Sequence, residues 1–378
     1  MEKVRLCDVC DFQGGSQPPK NEWSFEQKDG YIRMLQIRDF TQTRNVEKEY
    51  IKLTSSTKTC VTEDILIARY GASIGKILTG LSGAYNVAIM KTIPNEGILN
   101  KSYLKYYLLS NYFQNGINSV GARAAQAGFN KEDLSKLYIP VVSLVQQKLI
   151  VDKLNKLTAL IDKRKKQLKK FDELVKSRFI EMFGDCDLTE QKKEWKAVRE
   201  VGTVVGGSTP KTSVAGYWNG EYRWLSPAEL EQDSGVIFDS VKKITKAGIE
   251  SCSLQELPVG TVILSSRAPI GKLAIAGNTF YCNQGFKNIV CNERIVPRYL
   301  YSLLLFNTEY LNSLGRGATF KEISKSIVEN IKIPVPPIDL QNEFAKFVAK
   351  TDKSKFEIKQ SLEKLELLKK ALMQKYFG

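Results

Sequence analysis

The side chains best placed to do chemistry lie in short turns that occur twice. Ile74-Gly75-Lys76 ends the stretch ILIARYGASIGKI, and Ile270-Gly271-Lys272 ends the similar stretch VILSSRAPIGKL. From Gly71 the first reads Gly-x-x-x-Gly-Lys, one residue short of a phosphate-binding P-loop and with no hydroxyl residue after Lys76. The second lacks the first glycine and carries Pro269 where such a loop must flex, so nucleotide binding is excluded. Two readings fit the remaining chemistry. Each turn is either a loop that carries Arg69, Tyr70, Ser73 and Lys76, or Ser265, Ser266, Arg267 and Lys272, toward a nucleic acid, or a plain tight turn between strands.

Two further pairs of turns repeat. Gly14-Gly15-Ser16-Gln17 and Gly206-Gly207-Ser208-Thr209 are each followed by proline and then by lysine, Lys20 and Lys211. Glycine there lets backbone N–H groups and short polar side chains approach phosphates or base edges closely, and it serves equally well to end a strand. The third pair, GARAAQAGFNKEDL and GRGATFKEIS, carries Arg123, Gln126, Asn130 and Lys131, and Arg316, Thr319 and Lys321, types suited to phosphate and base contacts. No single residue decides between the readings. Their clustering in equivalent turns favours the nucleic-acid one.

Other chemistries find no residues to run them. The chain has no histidine, which removes the commonest general base and metal ligand. Cys7-Asp8-Val9-Cys10 has the spacing of a zinc knuckle without a second ligand pair, so the two read as structural cysteines. The seven cysteines are scattered and odd in number, not a disulfide framework. No methyltransferase tetrapeptide, dinucleotide loop or acidic nuclease core is present, and no metal or cofactor site is expected on this chain.

Charge points to a polyanion. Lys plus Arg total 56 against 41 acids, giving +15 and an isoelectric point near 9.3. Nucleic acid is the favoured partner over a membrane, because no lipid anchor or apolar-faced basic helix is evident. No apolar run approaches the length of a bilayer, and the first residues lack the order of a signal peptide, so a cytoplasmic location is expected.

These turns must be positioned by larger elements, and those elements are duplicated too. The segment from Val4 matches that from Val198, YIRMLQIRD matches YRWLSPAE, Tyr103 stands opposite Tyr299, IPVVSLVQQ matches IPVPPIDLQ, and Phe183-Gly184 matches Phe377-Gly378. The blocks read as 1–140, a mixed domain; 141–194, a helical spacer and linker; 195–334, a second mixed domain; and 335–378, a second helical spacer. In the first spacer Leu154, Leu157, Ile161, Leu168, Phe171, Val175 and Met182 fall at helical spacing. Phe344, Phe347, Thr351, Ile358, Leu365, Leu368 and Leu372 form the matching stripe in the second. The expected fold class is α+β: two tandem mixed α/β domains separated by two long helices packed as an antiparallel coiled coil, with a pseudo-two-fold axis. A helix of about 38 residues is roughly 57 Å long, enough to set two readers one turn of B-DNA or more apart, about 34 Å. The basic run at 162–170 is either a solvated face or a phosphate contact. Leu160, Leu174 and Leu362 remain beside the stripes, which implies further helices from partner subunits.

The order of these features, with Cys282-Asn283-Gln284, the IPVPP turn at 333–337 and the terminal Phe-Gly, resembles the specificity subunit of Type I DNA restriction–modification systems over essentially the whole chain. That resemblance implies two target-recognition domains, each reading half of a split double-stranded DNA site, and adds Asn283 and Gln284 to the expected contacts. It also implies helices that set the gap and dock two modification (methyltransferase) subunits. The chain would then be non-catalytic, with S-adenosylmethionine, and for restriction ATP and Mg, bound by the modification and restriction subunits. The first copy departs from the pattern at YNVAIM and IPVVSL. Two alternatives stay open: the specificity chain of a fused Type II restriction–methylation enzyme, and a coiled-coil scaffold that binds only protein.

Overall fold

The computed structural model describes residues 2–42, 46–121, 128–316 and 321–378. The chain forms two compact units, Met1–Lys165 with Lys359–Gly378, and Lys166–Ile358. Each therefore combines one mixed block with a part of each long helix, whereas the sequence reading treats the helices as segments of their own.

In the first unit β1 (Glu2–Arg5), α1 (Leu6–Val9) and β2 (Cys10–Gly14) open the chain. They are followed by β3 (Tyr31–Leu35), α2 (Ile37–Thr41), β4 (Glu49–Lys52), β5 (Thr59–Cys60), β6 (Leu66–Ala68), β7 (Ile77–Leu78), β8 (Gly83–Tyr85) and β9 (Ile89–Pro94). Helices α3 (Lys101–Leu108), α4 (Asn111–Gly121) and α5 (Lys131–Ser135) lead through β10 (Tyr138–Val141) into α6 (Leu144–Phe183). The strands make two four-stranded sheets, β2-β9-β6-β7 and β4-β3-β8-β5, and a β1-β10 pair. β3 and β8 run parallel; the other ladders are antiparallel.

The second unit repeats the plan. Its elements are β11 (Lys196–Ala197), α7 (Val198–Val201), β12 (Gly202–Gly206), β13 (Trp218–Leu225), β14 (Asp233–Ile237), β15 (Lys242–Ile244), α8 (Lys246–Ser251), β16 (Val262–Leu264), β17 (Leu273–Ala276), β18 (Tyr281–Cys282) and β19 (Lys287–Cys291). Helices α9 (Pro297–Phe306), α10 (Thr308–Ser313) and α11 (Lys325–Asn330), strand β20 (Lys332–Ile333) and α12 (Ile338–Phe377) complete it. The sheets are β12-β19-β16-β17-β14, β15-β13-β18 and β11-β20, with β13 parallel to β18 as β3 is to β8. The duplication seen in the sequence is thus a duplication of topology.

Both units fix the helix start in the same way. Gln147 is fully buried at the start of α6; its Nε2 donates to Val142 O and Ile98 O, and its Oε1 accepts from the Asn100 N–H. Gln341 does the same at the start of α12, donating to Pro336 O and Arg294 O and accepting from the Val296 N–H. Tyr103 donates to Pro140 O, and Tyr299 to Pro334 O. A buried amide that meets three backbone groups leaves none of them orphaned, so it holds sheet, short helix and long helix in one arrangement.

The helices run antiparallel. In the first unit Lys165 pairs with Glu366 at 2.8 Å; in the second Asp172 pairs with Lys355 at 2.6 Å and Arg178 with Glu343 at 2.9 Å. Leu154, Leu157, Ile161 and Phe344 are buried, while Leu168, Phe171, Val175, Phe347, Ile358, Leu365 and Leu372 are half-buried. Two positions correct the expected stripes. Leu368 is 50% exposed, because the seam of α12 runs through residues 358, 362, 365, 369, 372 and 376 and leaves 368 beside it. Leu362 lies on that seam and is half-buried, not left over. Leu160 and Leu174 are exposed, 48% and 47%, two heptads apart on one side of α6. Among the described residues no helix is long and apolar enough to cross a membrane.

Candidate nucleic-acid interface

Four turns of the second unit converge. After β12, Gly207 lies so close to the turn after β18 that a Cβ would stand 2.1 Å from Asn283 O and 2.2 Å from Cys282 O. The Ser208 N–H donates to Cys282 O at 2.9 Å, and the Thr209 hydroxyl donates to Gln284 Oε1. The turn after β16 meets them from another side: the Ser266 N–H donates to Gly285 O, and Ile323 N–H to Ser266 O. Residues 316 and 322 form an antiparallel bridge, with Arg316 and Glu322 exchanging both backbone hydrogen bonds.

Within this cluster Thr209 and Ser208 are half-buried, and Lys211, Arg267, Gln284, Arg316 and Lys321 are exposed. Ser265 and Ser266 correct the sequence reading, for both are fully buried. Ser265 prolongs the β16 pairing; its Oγ donates to Pro269 O and accepts from the Lys272 N–H. Ser266 Oγ accepts from Lys287 Nζ at 3.4 Å. Lys272 is also turned inward, its Nζ donating to Pro227 O at 3.1 Å. Asn283 folds its own turn, Oδ1 accepting from the Gly285 N–H. Two charged residues that the sequence reading missed stand here: Lys287, and Glu322 beside the expected Lys321. Burial opposes ionisation of Glu322, but hydrogen bonds from Lys287 and Arg267 outweigh it and hold its carboxyl below the usual value.

The first unit builds the same cluster with other side chains. A Cβ on Gly15 would lie 2.1 Å from Asn86 O and 2.3 Å from Tyr85 O, and the Ser16 N–H donates to Tyr85 O. Arg69 is clamped by carbonyls, Nε donating to Phe129 O and Nη1 to Val87 O, with its guanidinium 5.1 Å from the Tyr70 ring centre. Tyr70 bridges Gly128 and is 40% exposed. Gln17, Lys20 and Lys76 are exposed; Ser16 and Ser73 are half-buried. Asn130 caps α5, accepting from the Asp133 N–H. Lys131 pairs with Asp11; that hydrogen bond, with one from the Phe12 N–H, lowers the Asp11 carboxyl, and the Asp11 carboxylate in turn raises the Lys131 ammonium. Arg123, Gln126 and Thr319 lie outside the described residues.

Among the described residues no three His, Cys, Asp or Glu side chains are grouped to hold a metal ion. All seven cysteines are free; burial raises the Cys7 thiol and pushes Cys10 up to about 12. Replacing Gly207 with alanine tests the loop contact. The added methyl meets backbone carbonyls that no rotamer change relieves, so the expected destabilisation is about 1–3 kcal/mol. Thermal unfolding together with duplex-DNA retention checks it. An unchanged melting curve with full retention would show that the two turns do not need this closeness.

The chain is thus one structural plan built twice, with paired turns gathered beside each sheet. A family model described as the Type I restriction modification DNA specificity domain matches residues 1–170 and 191–369, and the chain belongs to that family. The MjaIX specificity subunit of a Type I restriction enzyme from Methanocaldococcus jannaschii is 35% identical over 209 residues, 54% of this chain and 48% of that protein. The chain thus spans about half the length of that relative. The EcoR124I/EcoR124II specificity subunit from Escherichia coli is 26% identical over 278 residues, 67% of this chain and 64% of its own. The crystal structure of the Type I restriction–modification S subunit from M. genitalium matches with a TM-score of 0.60 at 15% identity, covering 100% of this chain and 96% of that one. A structure described as underlying complex assembly and conformational transition of the Type I system matches equally, 0.60 at 19% identity, over 100% and 97%. These two likenesses show the fold.

Proposed function

We propose that the chain is a non-catalytic DNA reader. Each unit recognises one half of a bipartite duplex site, the helix pair sets the gap, and exposed positions on the helices dock two methyltransferase subunits. Restriction subunits complete the assembly. The observation that carries this reading is the same turn cluster built twice, with different side chains, on a chain of net charge +15. Lysine and arginine supply salt-sensitive attraction to phosphates, and the loop side chains supply selection at base edges. Two half-sites read together multiply selectivity, since each lost base contact costs about 1–3 kcal/mol. S-adenosylmethionine, ATP and Mg are assigned to the partner chains.

The test is methylome sequencing of a heterologous host carrying this chain with its modification subunit. The expected motif is two short specified blocks separated by unspecified bases. A contiguous motif, or methylation without sequence preference, would overturn the reading. A scaffold that binds only protein predicts no sequence-selective retention of duplex DNA, and a fused Type II system predicts co-purification without separate methyltransferase and ATPase chains.

A further inference from the structure

The second unit places a carboxylate where a DNA-facing surface should least tolerate one. Glu322 lies in the turn cluster of a strongly basic chain, and a bare acid there would repel phosphate. It is not bare. Oε2 accepts from Arg267 Nε at 3.0 Å, and Oε1 from Lys287 Nζ at 3.2 Å. Its backbone is bridged to both Arg267 and Arg316, so the carboxylate stands on a fixed support. Lys287 is well buried, its side chain 13% exposed, with Nζ also within reach of Ser266 Oγ and Gln284 O. Arg267 keeps half its side-chain surface in solvent, and among the described residues no other hydrogen bond holds its guanidinium.

This arrangement uses the one guanidinium N–H that points back along the side chain and, among the described residues, leaves the terminal fork without a partner. Arginine presents such a fork to guanine O6 and N7 as a bidentate pair. A guanidinium already held at Nε by a half-exposed ion pair loses less rotamer freedom on binding. Resting on the DNA-reading function proposed above, we infer that Arg267 selects a guanine in the half-site of the second unit, with Glu322, braced by Lys287, as the positioning residue that aims it.

The first unit shows that the position is chemically variable on a common frame. Its bridge corresponding to Arg267–Glu322 is Tyr70–Gly128. A Cβ on Gly128 would lie 2.4 Å from Tyr70 Cδ1, so the ring covers the place where the second unit carries its carboxylate. The same turn thus offers an aromatic face in one reader and an aimed guanidinium in the other. Different half-site bases are expected from that difference.

The experiment is methylome sequencing with the complete complex, comparing wild type, Glu322→Gln, Arg267→Lys, Arg267→Ala and the double variant Glu322→Gln/Arg267→Ala. Glutamine keeps the shape of Glu322 and removes its charge; lysine keeps the charge of Arg267 and removes its fork. Each single variant is expected to relax selection at one shared guanine of one half-site, by about 5- to 100-fold, with the gap and other half-site unchanged. The double variant is expected to be no worse than Arg267→Ala, because Glu322 acts through Arg267. The inference is overturned by no loss of selection, by losses at different positions for the two residues, or by a uniform loss across sequences, which would make Arg267 a phosphate contact. A wild-type complex that selects no bipartite motif would overturn the reading beneath it and the inference together.

Discussion

Replacing Phe344 with alanine is expected to destabilise the second unit by about 3–5 kcal/mol. Phe344 is fully buried on the first turns of α12, its ring centre 5.4 Å from Phe179 and 5.6 Å from Phe183, both on α6. Phe179 and Phe183 also pack on Tyr299, at 5.6 Å and 4.8 Å, so one ring cluster joins both long helices to α9. The hole left by truncation is bounded by rings, which collapse poorly into a void, and the three hydrogen bonds of Gln341, one turn earlier on α12, oppose a large shift of the helix start. For a unit of this size each kcal/mol lowers the melting temperature by roughly 2–4 °C, so a fall of about 6–20 °C is expected. Hydrogen exchange locates the effect: amides in β12, β16 and β19 should lose protection, while those in β2, β6 and β9 keep it. A melting temperature within a degree of wild type would show that the cluster is not the keystone of the unit. Phe377, its ring centre 5.0 Å from that of Tyr103, takes in the first unit the place that Phe183 takes against Tyr299 in the second.

The sequence made the frame readable because the frame is held at positions with few physical solutions. Gly15 and Gly207 each face a carbonyl at 2.1 Å from a hypothetical Cβ, a closeness only glycine permits. Gln147 and Gln341 align because each must meet three buried backbone groups. The side chains expected to face DNA are less legible, for two reasons. Strand register decides whether a residue beyond a strand end points out, and Ser265 and Ser266 were taken inward by pairing that extends past β16. Asn130 and Asn283 have the right chemistry for bases and spend their side-chain oxygens on local backbone instead. Conversely, the Arg267–Glu322–Lys287 group draws on residues 35 and 55 positions apart, and an acid beside Lys321 carries no local signature. Spacings of three and four put Leu368 on the seam, yet it is 50% exposed, because an α-helix drifts against a seven-residue repeat and carries that position off the shared face.

Removing one turn, four residues, from α6 together with the paired turn of α12 is expected to shorten the gap between half-sites and leave their bases unchanged. Both helices are 40 residues long without interruption. Four residues shorten a helix by about 6 Å and rotate the remainder of the helix by only about 40° from register, so the buried seam keeps its face. On B-DNA, where about 10 base pairs span ~34 Å, 6 Å corresponds to roughly two base pairs. Methylome sequencing of the paired deletion reads the gap directly; altered half-site bases with an unchanged gap would refute the ruler role. Deleting the turn from α6 alone is a harsher change. It shifts Lys165, Asp172 and Arg178 against Glu366, Lys355 and Glu343, and these exposed pairs contribute only about 0–1 kcal/mol each. The larger penalty falls on the seam, where Leu154, Leu157 and Ile161 meet a stripe displaced by one turn. A single deletion that still yields a shortened gap therefore requires the seam to re-register, and the paired deletion, which demands no re-registration, should retain more activity than either single one.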